Sequence, residues 1–130
     1  MHNAILCGSL LFLLSCGGLS PFDSARISTV NIADFMSDAP LQCRPSDVDL
    51  TNVEAMQFFR QAREVDYKIL HDHYNFAPCG IEGTLRYQQQ SCDWKINAGA
   101  TGQIRCADTV RYFACDDCEQ LFVKKPSALL

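Results

Sequence analysis

The sequence predicts a small α+β domain, with one N-terminal amphipathic helix packed on a three- to five-stranded antiparallel meander and stabilised by disulfides. Three observations support this prediction. An apolar pattern of helical period follows residue 50, the period changes to two after Gly80, and six cysteines lie beyond the first twenty residues. A helix followed by a run of strands is typical of the α+β class, in which the helix covers one face of the sheet.

The chain opens MHNAILCGSLLFLLSCGGLS, in which a largely apolar run extends from Ala4 to Leu14. The run is shorter than the roughly 20 apolar residues that a membrane-spanning helix needs, and it has the length and position of the hydrophobic region of a secretory signal. A buried N-terminal helix is the competing interpretation, but the run lacks an amphipathic period. We therefore expect residues 1–15 to be a signal peptide.

The residues that end this run, Leu13-Leu14-Ser15-Cys16, resemble the lipobox of bacterial lipoproteins. The resemblance implies that Cys16 is lipidated and begins the mature chain. It also implies, from Gly17, an anchor on the periplasmic side of the outer membrane. Because no Lys or Arg precedes the run, two alternatives are a different start site and cleavage without lipidation, which would release a soluble periplasmic or secreted protein. Residues 16–49 would be a tether and irregular lead-in, and residues 50–130 the domain.

The charge pattern excludes some classes of partner. The formal net charge is -4, and the acidic and basic residues are interspersed. Since no basic stripe is present, binding to nucleic acid is disfavoured. The loop Gly99–Gly102 lacks the glycine pattern and lysine of a phosphate-binding loop, so we expect no cofactor.

The stretch after residue 50 predicts the helix. Thr51 and Glu54 form the T-x-x-E pattern of a capping box, and Pro78 and Gly80 are the expected stop signals. The pattern predicts one helix of about 20 residues that frays near Tyr74. Its apolar face contains Met56, Phe59, Ala62, Ile69 and Leu70, with Phe58 and Val65 at the border.

Alternating apolar and polar residues predict the strands. Trp94 falls on the apolar side, where it should pack in the core under the helix, and Lys95 falls on the opposite side. The predicted strands are Arg26–Ile32 at an edge, Gly83–Tyr87, Cys92–Ile96, Ile104–Cys106, Thr109–Ala114 and a short Leu121–Val123.

Strand register predicts one disulfide directly. If Ile96 faces Gly102 across the hairpin, Cys92 faces Cys106, and directly opposed Cβ atoms lie about 4.5–5.5 Å apart. A disulfide can bridge that separation. The other four cysteines allow two schemes: Cys43–Cys79 with Cys115–Cys118, or bonds that cross from Cys43 and Cys79 to Cys115 and Cys118.

The C-x-x-C of Cys115 and Cys118 suggests three roles: redox catalysis, half of a metal site, or a structural disulfide. A reactive pair needs a stabilised thiolate, whereas Asp116, Asp117 and Glu119 should raise the pKa of both thiols. This favours the structural disulfide. The three acids are also a candidate surface for a protein partner.

The alternative is a metal-binding or hydrolytic centre formed by His71, His73, Cys115 and Cys118. Residues two apart on a helix face different directions, so the histidines could share an ion only where the helix has already ended. We therefore expect no metal site and no catalytic residue.

Three segments, HDHYNFAPCGIEGTL, CDWKINAGATG and YFACDDCEQLF, resemble small exported bacterial proteins of no assigned function. The resemblance implies export and a compact fold. We expect a non-catalytic periplasmic lipoprotein that binds a protein partner, as an immunity or inhibitor protein does against an envelope-targeting enzyme. The alternatives are the metal-binding or hydrolytic protein and a structural component of the envelope.

Overall fold

The computed structural model of the chain describes residues 20–74 and 77–122. Cys16 and its lipobox lie outside these residues, as does Val123 at the end of the last predicted strand. Six antiparallel strands form one sheet in the order β1-β3-β4-β5-β6-β2. The strands are β1 (Ile27–Ser37), β2 (Arg63–Val65), β3 (Cys79–Tyr87), β4 (Gln90–Asn97), β5 (Thr101–Cys106) and β6 (Thr109–Ala114). The α-helices of these ranges are α1 (Asn52–Gln61), α2 (Tyr67–His73) and α3 (Glu119–Phe122).

The α+β class and the antiparallel meander are confirmed. Strands β3 to β6 follow one another as hairpins, and Ile96 pairs with Gly102 as the register predicted. The expected edge strand is present and is longer than predicted, because β1 continues to Ser37 along β3.

The prediction of one N-terminal helix of about 20 residues is wrong: β1 precedes the helix in the fold, and the helix is half as long as predicted. Helix α1 ends at Gln61, and Ala62 is extended with φ -71° and ψ 153°. The next three residues form β2, which pairs with β6 from Tyr112 to Ala114. Without β2 this side of β6 would be an unpaired sheet edge, so strand pairing outweighs the helical pattern of the sequence. Helix α2 is therefore a separate element.

Helix α1 begins at the predicted capping box and covers one face of the sheet. The Thr51 hydroxyl accepts a hydrogen bond from the Glu54 amide at 3.1 Å, and the Glu54 carboxylate accepts one from the Thr51 amide at 3.0 Å. The ring of Phe59 packs edge-on against Trp94 and Phe113, with centroids 5.9 and 5.5 Å apart. These contacts form the centre of the core.

Trp94 is a core residue, as predicted, and is only 1 % exposed. Its indole N–H donates to the Thr84 carbonyl at 2.9 Å, which satisfies its polar atom. Gly83 allows this close packing, because a Cβ at that position would come within 2.9 Å of Trp94 Cζ2 and would overlap the Asn31 carbonyl oxygen.

The predicted strand from Leu121 is also wrong, since Leu121 and Phe122 belong to α3. The Leu121 amide donates to the Cys118 carbonyl at 2.9 Å, so the chain continues as a helical turn after the C-x-x-C. Leu121 is buried in the core, and Phe122 packs edge-on against Phe58. A helical turn brings both side chains inward at once, which an extended strand would not do.

Three disulfides link the fold. Cys92–Cys106 is confirmed, with its Cα atoms 4.5 Å apart. The four remaining cysteines form Cys43–Cys79 and Cys115–Cys118. The first of these pairs meets because β1 runs back along β3 until Ser37 lies opposite Cys79, which places the following loop and Cys43 beside the start of β3.

Candidate functional site

The two faces of the sheet differ in character. One face packs against α1, and the other, which we call the outer face, carries the alternate side chains of β3 to β6. A single cross-strand row on the outer face contains Glu82, Lys95, Gln103 and Tyr112. These positions belong to the polar half of the alternating pattern, so the side chains face away from the core.

Helix α2 lies over one side of the outer face. At its first residue, the Tyr67 ring contacts the Tyr112 ring edge-on, with centroids 5.2 Å apart. Helix α2 contributes no buried residue to the core, and Leu70 is only half-buried. The helix is therefore a wall above the sheet rather than part of the packed interior.

A cleft of about 830 Å³ lies between α2, the outer face and the end of β1. A volume of roughly 300–1,000 Å³ is typical of ligand-binding clefts. Its floor includes Lys95, Gln103 and Tyr112, its α2 wall includes Tyr67, Leu70 and His71, and its opposite wall includes Met36, Ser37 and Asp38. A shallower hollow of about 380 Å³ shares Lys95 and Gln103 with the cleft and continues it across the outer face.

The floor of the cleft presents polar groups that are free to bind a ligand. Within residues 20–74 and 77–122, the side chains of Lys95, Gln103 and Tyr112 form no hydrogen bond with the protein. Two exposed apolar side chains border this floor from opposite walls: Tyr67 is 58 % exposed and Met36 is 37 % exposed. The cleft therefore combines apolar contact area with unused polar groups.

A closed network of three side chains holds the far end of α2. The Tyr74 hydroxyl donates to the Asp116 carboxylate at 2.6 Å and accepts from the Arg63 guanidinium at 2.8 Å. Arg63 also donates to Asp116 at 3.1 Å. The network joins β2, the end of α2 and the turn within Cys115–Cys118.

This network changes the proton affinity of its members. The hydrogen bond from Tyr74, followed by the one from Arg63, lowers the pKa of the Asp116 carboxyl. The same hydrogen bond to Asp116, together with burial, raises the pKa of the Tyr74 hydroxyl. Both shifts favour the arrangement in which Tyr74 keeps its proton and Asp116 is charged.

The predicted acidic surface is divided by this network. Asp116 is engaged by Arg63 and Tyr74, whereas Asp117 and Glu119 are exposed beside it. Asp117 and Glu119 remain available to a partner. Neither Arg63 nor Tyr74 was predicted from the sequence as a site residue.

The residues of the predicted metal alternative have separate positions. Cys115 and Cys118 are bonded to each other, so neither offers a thiolate. His71 lines the cleft, and its Nδ1 lies 3.4 Å from the Asp72 carboxylate. His73 is exposed two positions further along α2, where helical geometry points it in another direction.

One other group of potential ligand atoms occurs in the described part of the chain: those of Cys43, Asp47 and Cys79 lie within 4.8 Å of one another. The two sulfurs are joined as a disulfide, which leaves a single carboxylate. A single carboxylate is not a metal site.

The cleft was not predicted from the sequence. The alternating pattern placed Lys95 and Gln103 on the side away from the core, so the sequence indicated residues of the cleft floor. What it could not indicate was that α2 would cross that side, because the break at Ala62 carries no Gly or Pro signal.

None of the helices in residues 20–74 and 77–122 has the length and apolar character that crossing a membrane requires. No protein-family model matches the chain, and no curated protein and no solved structure is detectably similar to it.

Proposed function

We propose that this is an exported, non-catalytic binding protein that engages a protein partner through the cleft between α2 and the outer face. The observation that carries the proposal is the cleft itself, with its two exposed apolar side chains, Tyr67 and Met36, above a floor of unused polar groups. The partner would be an enzyme that reaches the envelope, and this protein would act as its inhibitor or immunity protein. Lipidation at Cys16 would hold it on the periplasmic side of the outer membrane.

The composition of the cleft supports a protein partner. Tyrosine and methionine are enriched at the centres of protein interfaces, where charged residues are depleted and the polar groups lie towards the rim. A loop of the partner could insert an apolar side chain between Tyr67 and Met36, while its backbone carbonyls accept hydrogen bonds from Lys95 and Tyr112.

The three disulfides support both the export and the binding role. Disulfides persist in oxidising compartments such as the bacterial periplasm. Cys79 itself lines the cleft, so the Cys43–Cys79 bond fixes one end of the cleft floor. A floor that is fixed in advance loses less conformational entropy when the partner binds.

The polar groups of the cleft favour binding over hydrolysis. Ser37 lines the cleft, but its hydroxyl donates to the Cys43 carbonyl at 3.0 Å rather than to a histidine. His71 is paired with Asp72, which in turn accepts from Lys68 at 2.7 Å. A nucleophile and its base need a direct hydrogen bond. Ser37 and His71 each bond to a different partner, so they do not form such a pair.

Affinity capture tests the proposal. The full-length tagged protein is recovered from envelope extracts, and the bound proteins are compared for wild type, Tyr67→Ala and Val53→Ala. Val53 is the matched control, because it is 76 % exposed and belongs to α1 rather than to the cleft. We expect one enzyme to bind wild type and Val53→Ala equally, to bind Tyr67→Ala at least about tenfold more weakly, and to lose activity when bound.

Two results would contradict the proposal. In one, every captured protein binds Tyr67→Ala as well as it binds wild type. In the other, the purified protein hydrolyses a substrate at a rate that falls with His71→Ala, which would favour the hydrolytic alternative.

A further inference from the structure

Helix α2, which forms one wall of the cleft, contributes little buried surface to the fold. None of its seven residues is buried, and every one except Leu70 is exposed by more than a third. Tyr67 contacts Tyr112 at its first residue, and the Arg63–Tyr74–Asp116 network lies at its end. An element with so little buried apolar surface opens at low cost in free energy.

Each of the three residues of the network bonds to the other two. Arg63 and Asp116, the two partners of Tyr74, lie on elements that are fixed in the fold. Arg63 lies on β2, which is hydrogen-bonded to β6. Asp116 lies between Cys115 and Cys118, which are bonded to each other and buried. Of the three residues, only Tyr74 belongs to the end of α2, so its hydroxyl is the group through which the network holds the helix.

We propose that the Arg63–Tyr74–Asp116 network is a latch that holds α2 against the outer face, and that its release uncovers Tyr112, on the α2 side of the cleft floor, for the partner. This inference rests on the proposed function in one respect, namely that a protein partner enters the cleft. The latch itself is a property of the free protein and is tested without a partner.

The strength of the latch resides in the Tyr74 hydroxyl. Without it, Arg63 and Asp116 still face each other at 3.1 Å, but their side chains are 58 % and 59 % exposed. An exposed ion pair of this kind contributes little, and it no longer involves α2. Loss of one hydroxyl should therefore free the end of the helix while β2 and the turn stay in place.

Hydrogen exchange measured by mass spectrometry on the oxidised full-length protein tests the latch. We expect Tyr74→Phe to raise amide exchange in residues 67–73 about three- to tenfold, as follows from losing one or two hydrogen bonds, with exchange in β4 and β5 unchanged. Tyr67→Phe is the matched control, since it removes a hydroxyl from the same helix that has no hydrogen-bond partner in the described part of the chain.

A double-mutant cycle asks whether Tyr74 acts through Asp116. Asp116→Ala should raise α2 exchange, but by less than Tyr74→Phe, because Arg63 still donates to the Tyr74 hydroxyl. Adding Asp116→Ala to Tyr74→Phe should raise α2 exchange no further. Asp117→Ala, in the same turn, should leave exchange as in wild type. Three results would contradict the latch. The effects of Tyr74→Phe and Asp116→Ala on amide exchange could be additive, Tyr67→Phe could raise exchange as much as Tyr74→Phe, or exchange could rise uniformly across all strands.

Hydroxyl-radical footprinting of Tyr112 tests whether release opens the cleft. Tyr112 lies on the floor beneath Tyr67, so its oxidation should rise severalfold in Tyr74→Phe and stay unchanged in Asp117→Ala. Faster exchange in α2 without greater oxidation of Tyr112 would mean that the helix frays in place, and the gating role would be wrong. Failure of this test leaves the capture experiment unaffected, so the two proposals fail separately.

Discussion

The Tyr74 hydroxyl joins two oppositely charged side chains at the surface, and its effect on Asp116 can be measured directly. Its hydrogen bond is the largest cause of the lowered pKa of the Asp116 carboxyl, ahead of the bond from Arg63. Because the folded-state pKa lies below the unfolded value, Asp116 stabilises the fold above its ordinary pKa. This contribution is lost as the pH falls through the lowered pKa.

We predict that Tyr74→Phe raises the pKa of Asp116 towards its ordinary value, because the first of its two donors is removed. The measurement is a carbon-detected NMR titration of the side-chain carboxyl. Tyr67→Phe should leave the titration unchanged. An Asp116 pKa that is the same in wild type and Tyr74→Phe would show that Arg63 alone is responsible.

The contacts of Asp116 come from residues that are distant in the sequence. The acidic run of Asp116, Asp117 and Glu119 is visible in the sequence, but the engagement of Asp116 by Arg63 and Tyr74 is not. Arg63 and Tyr74 lie 53 and 42 residues before Asp116, and nothing in their local sequence indicates that they meet it. The pairing of β2 with β6 brings Arg63 close to Asp116, and α2 brings Tyr74 to both.

The capping box of α1 is the clearest signal at the scale of the element. Thr51 and Glu54 exchange the two predicted hydrogen bonds, and the buried Phe58 and Phe59 follow within the same helix. Because α1 covers the core, loss of the cap should weaken the whole domain rather than one end of it.

We predict that Thr51→Ala lowers the free energy of unfolding by about 1 kcal/mol, since the Glu54 amide loses its side-chain acceptor. Urea denaturation followed by circular dichroism measures this. Thr51→Ser, which keeps the hydroxyl, should recover most of the loss, and Val53→Ala should have little effect. If Thr51→Ser lowered the free energy of unfolding as much as Thr51→Ala, the methyl group of Thr51 and not its hydroxyl would be responsible.

Strands were easier to predict than helices, for a physical reason. The hairpin of β4 and β5 is specified by local alternation and by a turn, so Cys92, Trp94 and Ile96 were placed on the correct face and in the correct register. The end of α1 depends on a distant partner, because Ala62 leaves the helix so that β2 can complete the edge of β6. Helical propensity is a weak preference that tertiary pairing overrides.

At the scale of the whole molecule, the same alternation that builds the core also prepares the site. Each inward Trp94 or Ile104 has an outward neighbour such as Lys95 or Gln103, and the outward set forms the cleft floor. The sequence therefore identifies candidate floor residues. It does not identify the wall, since α2 crosses the outer face only because the chain returns from β2 to β3 on that side.

The proposed location of the molecule depends on Cys16. We predict that Cys16→Ala abolishes membrane attachment, because the acyl group at this position would be the anchor, and that the variant appears in the aqueous phase of a detergent partition. The domain should stay folded, since Cys16 precedes the described residues and the three disulfides lie within them. Equal partitioning of wild type and Cys16→Ala would contradict the lipoprotein proposal.

The three disulfides differ most in the length of chain that each one closes, and this difference predicts an order of stability. Cys43–Cys79 spans 36 residues, Cys92–Cys106 spans 14 and Cys115–Cys118 spans 3. In the chain-entropy model, a longer loop restricts the unfolded state more, which gives about 3.8, about 3.0 and about 1.6 kcal/mol respectively. Replacing each pair by Ala and measuring the free energy of unfolding should reproduce that order.

Asp116 lies within the shortest loop, so removing the Cys115–Cys118 bond should also speed amide exchange in α2. The variants that lack one of the other two disulfides should not show this faster exchange. If the Cys115–Cys118 variant proved the least stable of the three, the turn would contribute through its native contacts, and loop entropy would not be the controlling term.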